Sequence, residues 1–179
     1  MNPWKLLGLP QSLDLAEETL SAAFRDAGKL AHPDAGGDEA TFNALQQARE
    51  ILASPSKRLR TWMELHGSTL DPRGTVSPEL LDLFTTIGAA TQSAETAIRK
   101  RDATHSALAR ALIEPDLQLA RESIESLQTH LATRITSACT AFPALASHPD
   151  PDLAATLARD LAFLEKWRAS LRALFSRLV

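Results

Sequence analysis

The sequence predicts an all-α protein, and three observations carry that expectation. Tyrosine is absent, alanine and leucine recur throughout, and the last of the seven glycines is Gly88, so helix is favoured wherever packing leaves a choice. Apolar residues return at three- and four-residue spacing along most of the 179 residues. The remaining Gly and Pro residues fall where helices start or stop.

A short helix around Trp4 to Leu7 opens the chain. Asp14 followed by Glu17 has the pattern of a reciprocal N-cap, and Leu20, Ala23, Phe24, Ala27 and Ala31 then predict an amphipathic helix from about Leu15 to Ala31. Pro33 ends it by disfavouring helical dihedrals at His32, and Gly36-Gly37 lets the chain turn back. Asp38 and Glu39 place negative charge where a helix N-terminus welcomes it, and Phe42, Leu45, Ala48, Ile51 and Leu52 form a second stripe up to Ser54-Pro55. The two helices should form an antiparallel hairpin. A basic helix from about Ser56 to Leu65 follows, with Lys57-Arg58-Arg60 expected on a solvated face and Trp4 and Trp62 in the core.

The turn formers of Gly67 to Gly74 predict a domain boundary: residues 1–67, a linker over 68–76, and a second domain over 77–179. Ser77-Pro78-Glu79 caps the next helix. Its stripe, Leu80, Leu81, Phe84, Ile87, Ala94, Ile98, Leu108 and Leu112, predicts one very long helix or one broken near Arg101-Asp102. Leu117, Ala120, Ile124, Leu127, Leu131, Ile135, Ala138 and Phe142 make the next stripe, stopped by Pro143. Asp150-Pro151-Asp152 opens the last helix, with Leu153, Leu157, Leu161, Leu164, Trp167, Leu171, Leu174 and Leu178 along it. At about 1.5 Å of rise per residue these helices are on the order of 40 to 50 Å long, so they should pack as an elongated three-helix bundle.

Composition narrows the function classes. Charged residues make up 23% and the formal net charge is -3, a balance that suits a soluble globular protein and disfavours nucleic-acid binding. Cys139 is the single cysteine and cannot form an internal disulfide; His66, His105 and His130 have no second ligand at helical spacing, so no metal site and no cofactor are expected. The opening MNPWKLLGLPQSLDLAEE has no uncharged apolar core of signal-peptide length, and no stretch has the roughly 18 apolar residues of a membrane span. The expectation is a cytoplasmic protein without membrane contact. No P-loop, zinc-protease motif or nucleophile with an evident base partner occurs, so no catalytic residue is assigned.

The informative tripeptide is His32-Pro33-Asp34, lying between two amphipathic helices. An imidazole and a carboxylate on either side of a rigid proline suit docking: Asp34 can accept a charge-assisted hydrogen bond from an arginine, and Arg25 and Lys29 can meet an acidic surface. A second His-Pro-Asp, residues 148–150, has no basic helix ahead of it, and Asp150 there reads as an N-cap.

The run LSAAFRDAGKLAHPDAGGDEATFNALQQAREILASPSKR, with the opening WKLLGLP, resembles a J-domain, the module by which DnaJ-type co-chaperones act on Hsp70 chaperones. The resemblance implies that His32, Pro33 and Asp34 bind an Hsp70-type chaperone, HscA-like or DnaK-like, and stimulate its ATPase, with Arg25 and Lys29 in supporting electrostatic roles. Asp26-Ala27-Gly28 stands where many J-domains have a more basic and apolar Lys-Leu-Ala. The segment RLRTWMELHG, the turn after it and the helices ending in LAFLEKWRASLRALFSRLV resemble HscB, the co-chaperone of iron–sulfur cluster assembly. That resemblance implies an N-terminal J-domain and a C-terminal three-helix bundle that binds an IscU-like scaffold protein through Leu80, Leu81, Phe84 and Phe163. Thr85, Gly88 and Gln92 replace glutamates usual in that family. A J-domain protein with a different client, or a self-associating helical adaptor, are the alternative expectations.

Overall fold

The computed structural model describes residues 1–31, 38–69 and 74–179. Among them every regular element is helical: α1 (Pro3–Leu6), α2 (Glu17–Ala31), α3 (Glu39–Ala53), α4 (Pro55–Leu65), α5 (Pro78–Asp102), α6 (Ala107–Cys139), α7 (Phe142–Ser147) and α8 (Pro151–Leu178). The predicted all-α class is the observed one. Two compact units form, Met1–Gly74 with Ala138–Ala162, and Thr75–Ser137 with Phe163–Val179.

In the first unit α3 packs against α1, α2 and α4. Helix α2 runs antiparallel to α3. Gly28, late in α2, approaches the Phe42 ring near the start of α3, while Phe24, a turn earlier, lies beneath the Arg49 guanidinium further along α3, 5.2 Å from the ring centroid. Leu20 and Ala31 of α2 and Leu45, Ala48 and Leu52 of α3 are buried, as the two stripes require. Trp4 and Trp62 fill the core as predicted, and the Trp4 indole Nε1–H donates to the Ser12 carbonyl at 3.0 Å. The start of α2 differs from expectation. Ser12 Oγ accepts from the Asp14 backbone N–H and donates to the Asp14 carbonyl, a local turn that delays the helix, so its first bond runs from the Leu20 N–H to the Ala16 carbonyl. At the start of α3 Asp38, read from the sequence as favourable charge, is also the cap: its side chain accepts from the Thr41 backbone N–H.

Arg58 is the larger surprise. It is only 8% exposed, donating to the Leu52 carbonyl at 2.9 Å and the Leu15 carbonyl at 3.4 Å, with its guanidinium 5.6 Å from the Phe142 ring centroid. A basic run need not be solvated as a block, because one residue in each helical turn faces inward.

In the second unit Leu80, Leu83, Ile87 and Ile98 of α5, Leu117, Ile124, Leu131 and Ile135 of α6, and Leu164, Leu171, Leu174 and Leu178 of α8 are buried. The break near Arg101-Asp102 is real. Residues 103–106 separate α5 from α6, and the Ser106 hydroxyl caps the new helix by accepting from the Ala109 N–H. Leu108 and Leu112 therefore belong to α6, not to the first stripe, and are exposed. At about 3.6 residues per turn, Leu108 sits half a rotation away from Leu117, which faces the core. Pro115 lies inside α6 at an exposed position. Cys139 is half-buried at the end of α6. No helix among the described residues is long and apolar enough to cross a membrane.

Candidate functional site

His32, Pro33 and Asp34 lie outside the described residues, as does part of the expected 68–76 linker. The helix leading to the tripeptide is described. Arg25, Asp26, Lys29 and Leu30 form its exposed side, since Leu20 and Ala31 take the core side. Lys29 Nζ pairs with Asp26 Oδ1 at 3.0 Å, and Arg25 Nε–H donates weakly back to the Ser21 carbonyl at 3.4 Å. The exposed surface thus offers two cations and one anion, held on a helix that is braced from beneath. Phe24 and Phe42 meet with ring centroids 6.4 Å apart, and Arg49 covers Phe24. Just beyond the tripeptide, the Asp38 carboxyl is held below its ordinary value by the Thr41 backbone N–H, then the Thr41 hydroxyl, then the Ala40 backbone N–H.

The second His-Pro-Asp behaves as an ordinary helix start. Asp150 Oδ1 accepts from the backbone N–H groups of Asp152 at 3.1 Å and Leu153 at 3.0 Å, which caps α8.

Of the four apolar residues expected to meet a client, three are exposed: Leu81 at 60%, Phe84 at 63% and Phe163 at 41%. Leu80 is not. It is 2% exposed, packed into the core of the second unit, because adjacent residues on a helix point about 100° apart and Leu80 falls on the inner side. Its expected place on a client surface is corrected accordingly. Trp167 takes part instead. Its ring lies 6.2 Å from Phe84 and 5.8 Å from Phe163, so three aromatics from α5 and α8 form one half-exposed cluster beside Leu81. In the sequence Trp167 reads as another member of the buried α8 stripe; only its spacing of four from Phe163 hints at a shared face.

The other polar groups have structural surroundings. His66 stacks on Trp62 with centroids 3.9 Å apart, and its Nδ1–H donates to the Trp62 carbonyl at 2.7 Å, closing the end of α4. His105 and His130 are exposed. Among the described residues no three His, Cys, Asp or Glu side chains converge as a metal ion requires.

These features define a class of protein: a helical unit with J-domain-type sequence in a chain that also has a long-helix unit bearing an exposed aromatic cluster. The chain is 46% identical over 57 residues to a tetratricopeptide-repeat and J-domain-containing co-chaperone of Cryptococcus neoformans, a stretch that is 32% of this chain and 10% of that protein. It is 42% identical over 55 residues to chaperone protein dnaJ 2 of Arabidopsis thaliana, 31% of this chain and 13% of the relative. It thus spans roughly a tenth of the length of the curated relatives it matches. No family model matches. The fold is similar to that of the chaperone HscB from Vibrio cholerae, with a TM-score of 0.57, 21% identity and 100% of both chains covered. HscB-like architecture with a J-domain-like segment is the description these findings support.

Proposed function

We propose that this chain is a non-enzymatic co-chaperone with a J-domain over residues 1–67, a linker over 68–76 and a client-binding bundle over 77–179. His32, Pro33 and Asp34 engage an Hsp70-type chaperone, HscA-like or DnaK-like, and stimulate its ATPase, while Arg25 and Lys29 steer the encounter. The observation that carries this reading is the 40–46% identity to J-domain co-chaperones over 55–57 residues, combined with an intact His-Pro-Asp. An IscU-like iron–sulfur scaffold is the proposed client, taken from the likeness of the whole fold to HscB and the exposed Leu81, Phe84 and Phe163. Exposed aromatics clustered on two helices are the kind of surface that anchors a partner.

Steady-state ATP turnover by a cognate Hsp70 tests the first half. Wild-type protein should stimulate it and His32→Gln should not; equal stimulation by both rejects the docking role. A pull-down with an IscU-type scaffold tests the second half, with Phe163→Ala expected to lose what wild type retains. The uncharged Thr85, Gly88 and Gln92 favour, as the second reading, a client that differs from IscU in its charge. Absence of scaffold binding by wild type would leave that reading.

A further inference from the structure

Gly88 stands inside α5 on its exposed side, and nothing among the described residues asks for a glycine there. Its φ is not positive, and a Cβ built at Gly88 meets no atom within 4 Å. Glycine within a helix is less stable than alanine because it loses more backbone freedom, so this position carries a cost that folding does not explain. Its neighbours suggest what does. Leu81 and Phe84, seven and four residues before it, are exposed and apolar; Thr85 and Gln92, three before and four after, are exposed and uncharged. Helical spacing puts all four on one strip with Gly88. Between Asp82 and Glu95 the α5 sequence contains no charged residue.

Beside this strip a groove of about 320 Å³ runs between α5 and α8, bordered by Ile87, Thr91 and, at its far end, Glu95 on one side and by Ser170, Leu174 and, at its far end, Arg177 on the other. Ile87 is three residues on from Phe84, and Ser170 three on from Trp167, so the groove continues the aromatic cluster along both helices.

We infer that Gly88 is a contact notch, where the backbone of the docked client lies directly against α5. The client segment is uncharged along this stretch. It anchors one bulky apolar side chain on Phe84, Phe163 and Trp167 and continues past Gly88 to the near end of the α5–α8 groove, at Ile87 and Ser170, short of Glu95 and Arg177. The inference rests on the client reading above and narrows the chemistry of the partner. A methyl group at position 88 then does two opposite things: it strengthens the free helix and obstructs the bound segment.

The test pairs thermal melts with calorimetric titration of an IscU-type scaffold into wild type, Gly88→Ala and Phe163→Ala, at low and high salt. Gly88→Ala should melt higher by a few degrees yet bind about tenfold or more weakly, and wild-type affinity should change little with salt. Wild-type affinity that falls steeply with salt contradicts an uncharged contact. A Gly88→Ala protein that binds like wild type while Phe163→Ala does not removes the notch and leaves the client reading standing. A Gly88→Ala protein that melts lower assigns the glycine to the fold and also overturns the inference. If wild type fails to bind the scaffold, the client reading falls and the notch with it.

Discussion

Arg58 shows how one side chain can hold distant parts of the chain together. A cation at this depth is stabilised by donors that reach carbonyls at the end of α3 and ahead of α2 and by the contact of its face with Phe142. Replacing it with alanine orphans buried carbonyls and removes the ring contact. Arg58→Ala should therefore lower stability by about 2 to 4 kcal/mol in urea unfolding, whereas Lys57→Ala, exposed one residue earlier, should change it by about 0.5 kcal/mol or less. Asp26 is a residue-scale question of another kind. The ion pair with Lys29 is largely solvated and contributes little to folding, but its anion offsets a cation on the surface proposed to meet Hsp70. Asp26→Asn should leave the melting temperature nearly unchanged and steepen the salt dependence of Hsp70 binding, as one more uncompensated cation joins the encounter.

Helix ends decide much at the scale of elements. The last carbonyls of α8 receive side-chain donors from both other long helices: Arg101 donates to Arg177 O at 2.9 Å and Arg121 Nε–H to Leu178 O at 2.9 Å. Each answers a carbonyl that the helix itself leaves without a bond, and each cation also suits the negative end of the helix dipole. Arg121→Ala should cost about 1 kcal/mol and speed amide exchange in the last turn of α8 ahead of its middle.

The Asp38 cap at the start of α3 gives a pH prediction with a definite sign. Its carboxyl is lowered in the folded state, so the bond to Thr41 stabilises α3 above the ordinary carboxylate value and that contribution disappears as pH falls through the lowered one. The protection of the Thr41 amide relative to its intrinsic exchange rate should fall in acid, and Asp38→Asn should remove that step. The cap of Asp150 was legible in the sequence, because an acceptor directly before an apolar stripe is a local pattern, and at Asp38 the favourable charge was legible. The start of α2 was not legible. Asp14 offered the same pattern, but the Ser12 turn took the backbone first, and the choice between two local hydrogen-bonding schemes depends on how Leu13 and Trp4 are buried.

For the whole molecule, the all-α class and the identity of nearly every long helix followed from periodicity, since three- and four-residue spacing specifies which side of a helix is buried. What spacing cannot supply is depth across helices. Leu80 and Leu81 look alike in the sequence, and only packing assigns the first to the core and the second to solvent. Trp167 and Arg58 were misread for the same reason: each belongs by sequence to one stripe or run, while its role comes from a residue on another helix, Phe84 for the tryptophan and Phe142 for the arginine. The tripeptide His32-Pro33-Asp34 was legible as a motif from its flanking helices. Its proposed partnership with the α5 and α8 aromatics is a matter of coupling. Two binding activities on one chain raise the effective concentration of client at the chaperone, so modest separate affinities suffice.

That coupling is tested most directly by single-turnover ATP hydrolysis on the cognate Hsp70, with this protein alone, an IscU-type scaffold alone, and both together. The account predicts that both together exceed the product of the separate stimulations for wild type, and that the excess vanishes with His32→Gln and with Phe163→Ala. An excess that survives either substitution contradicts it.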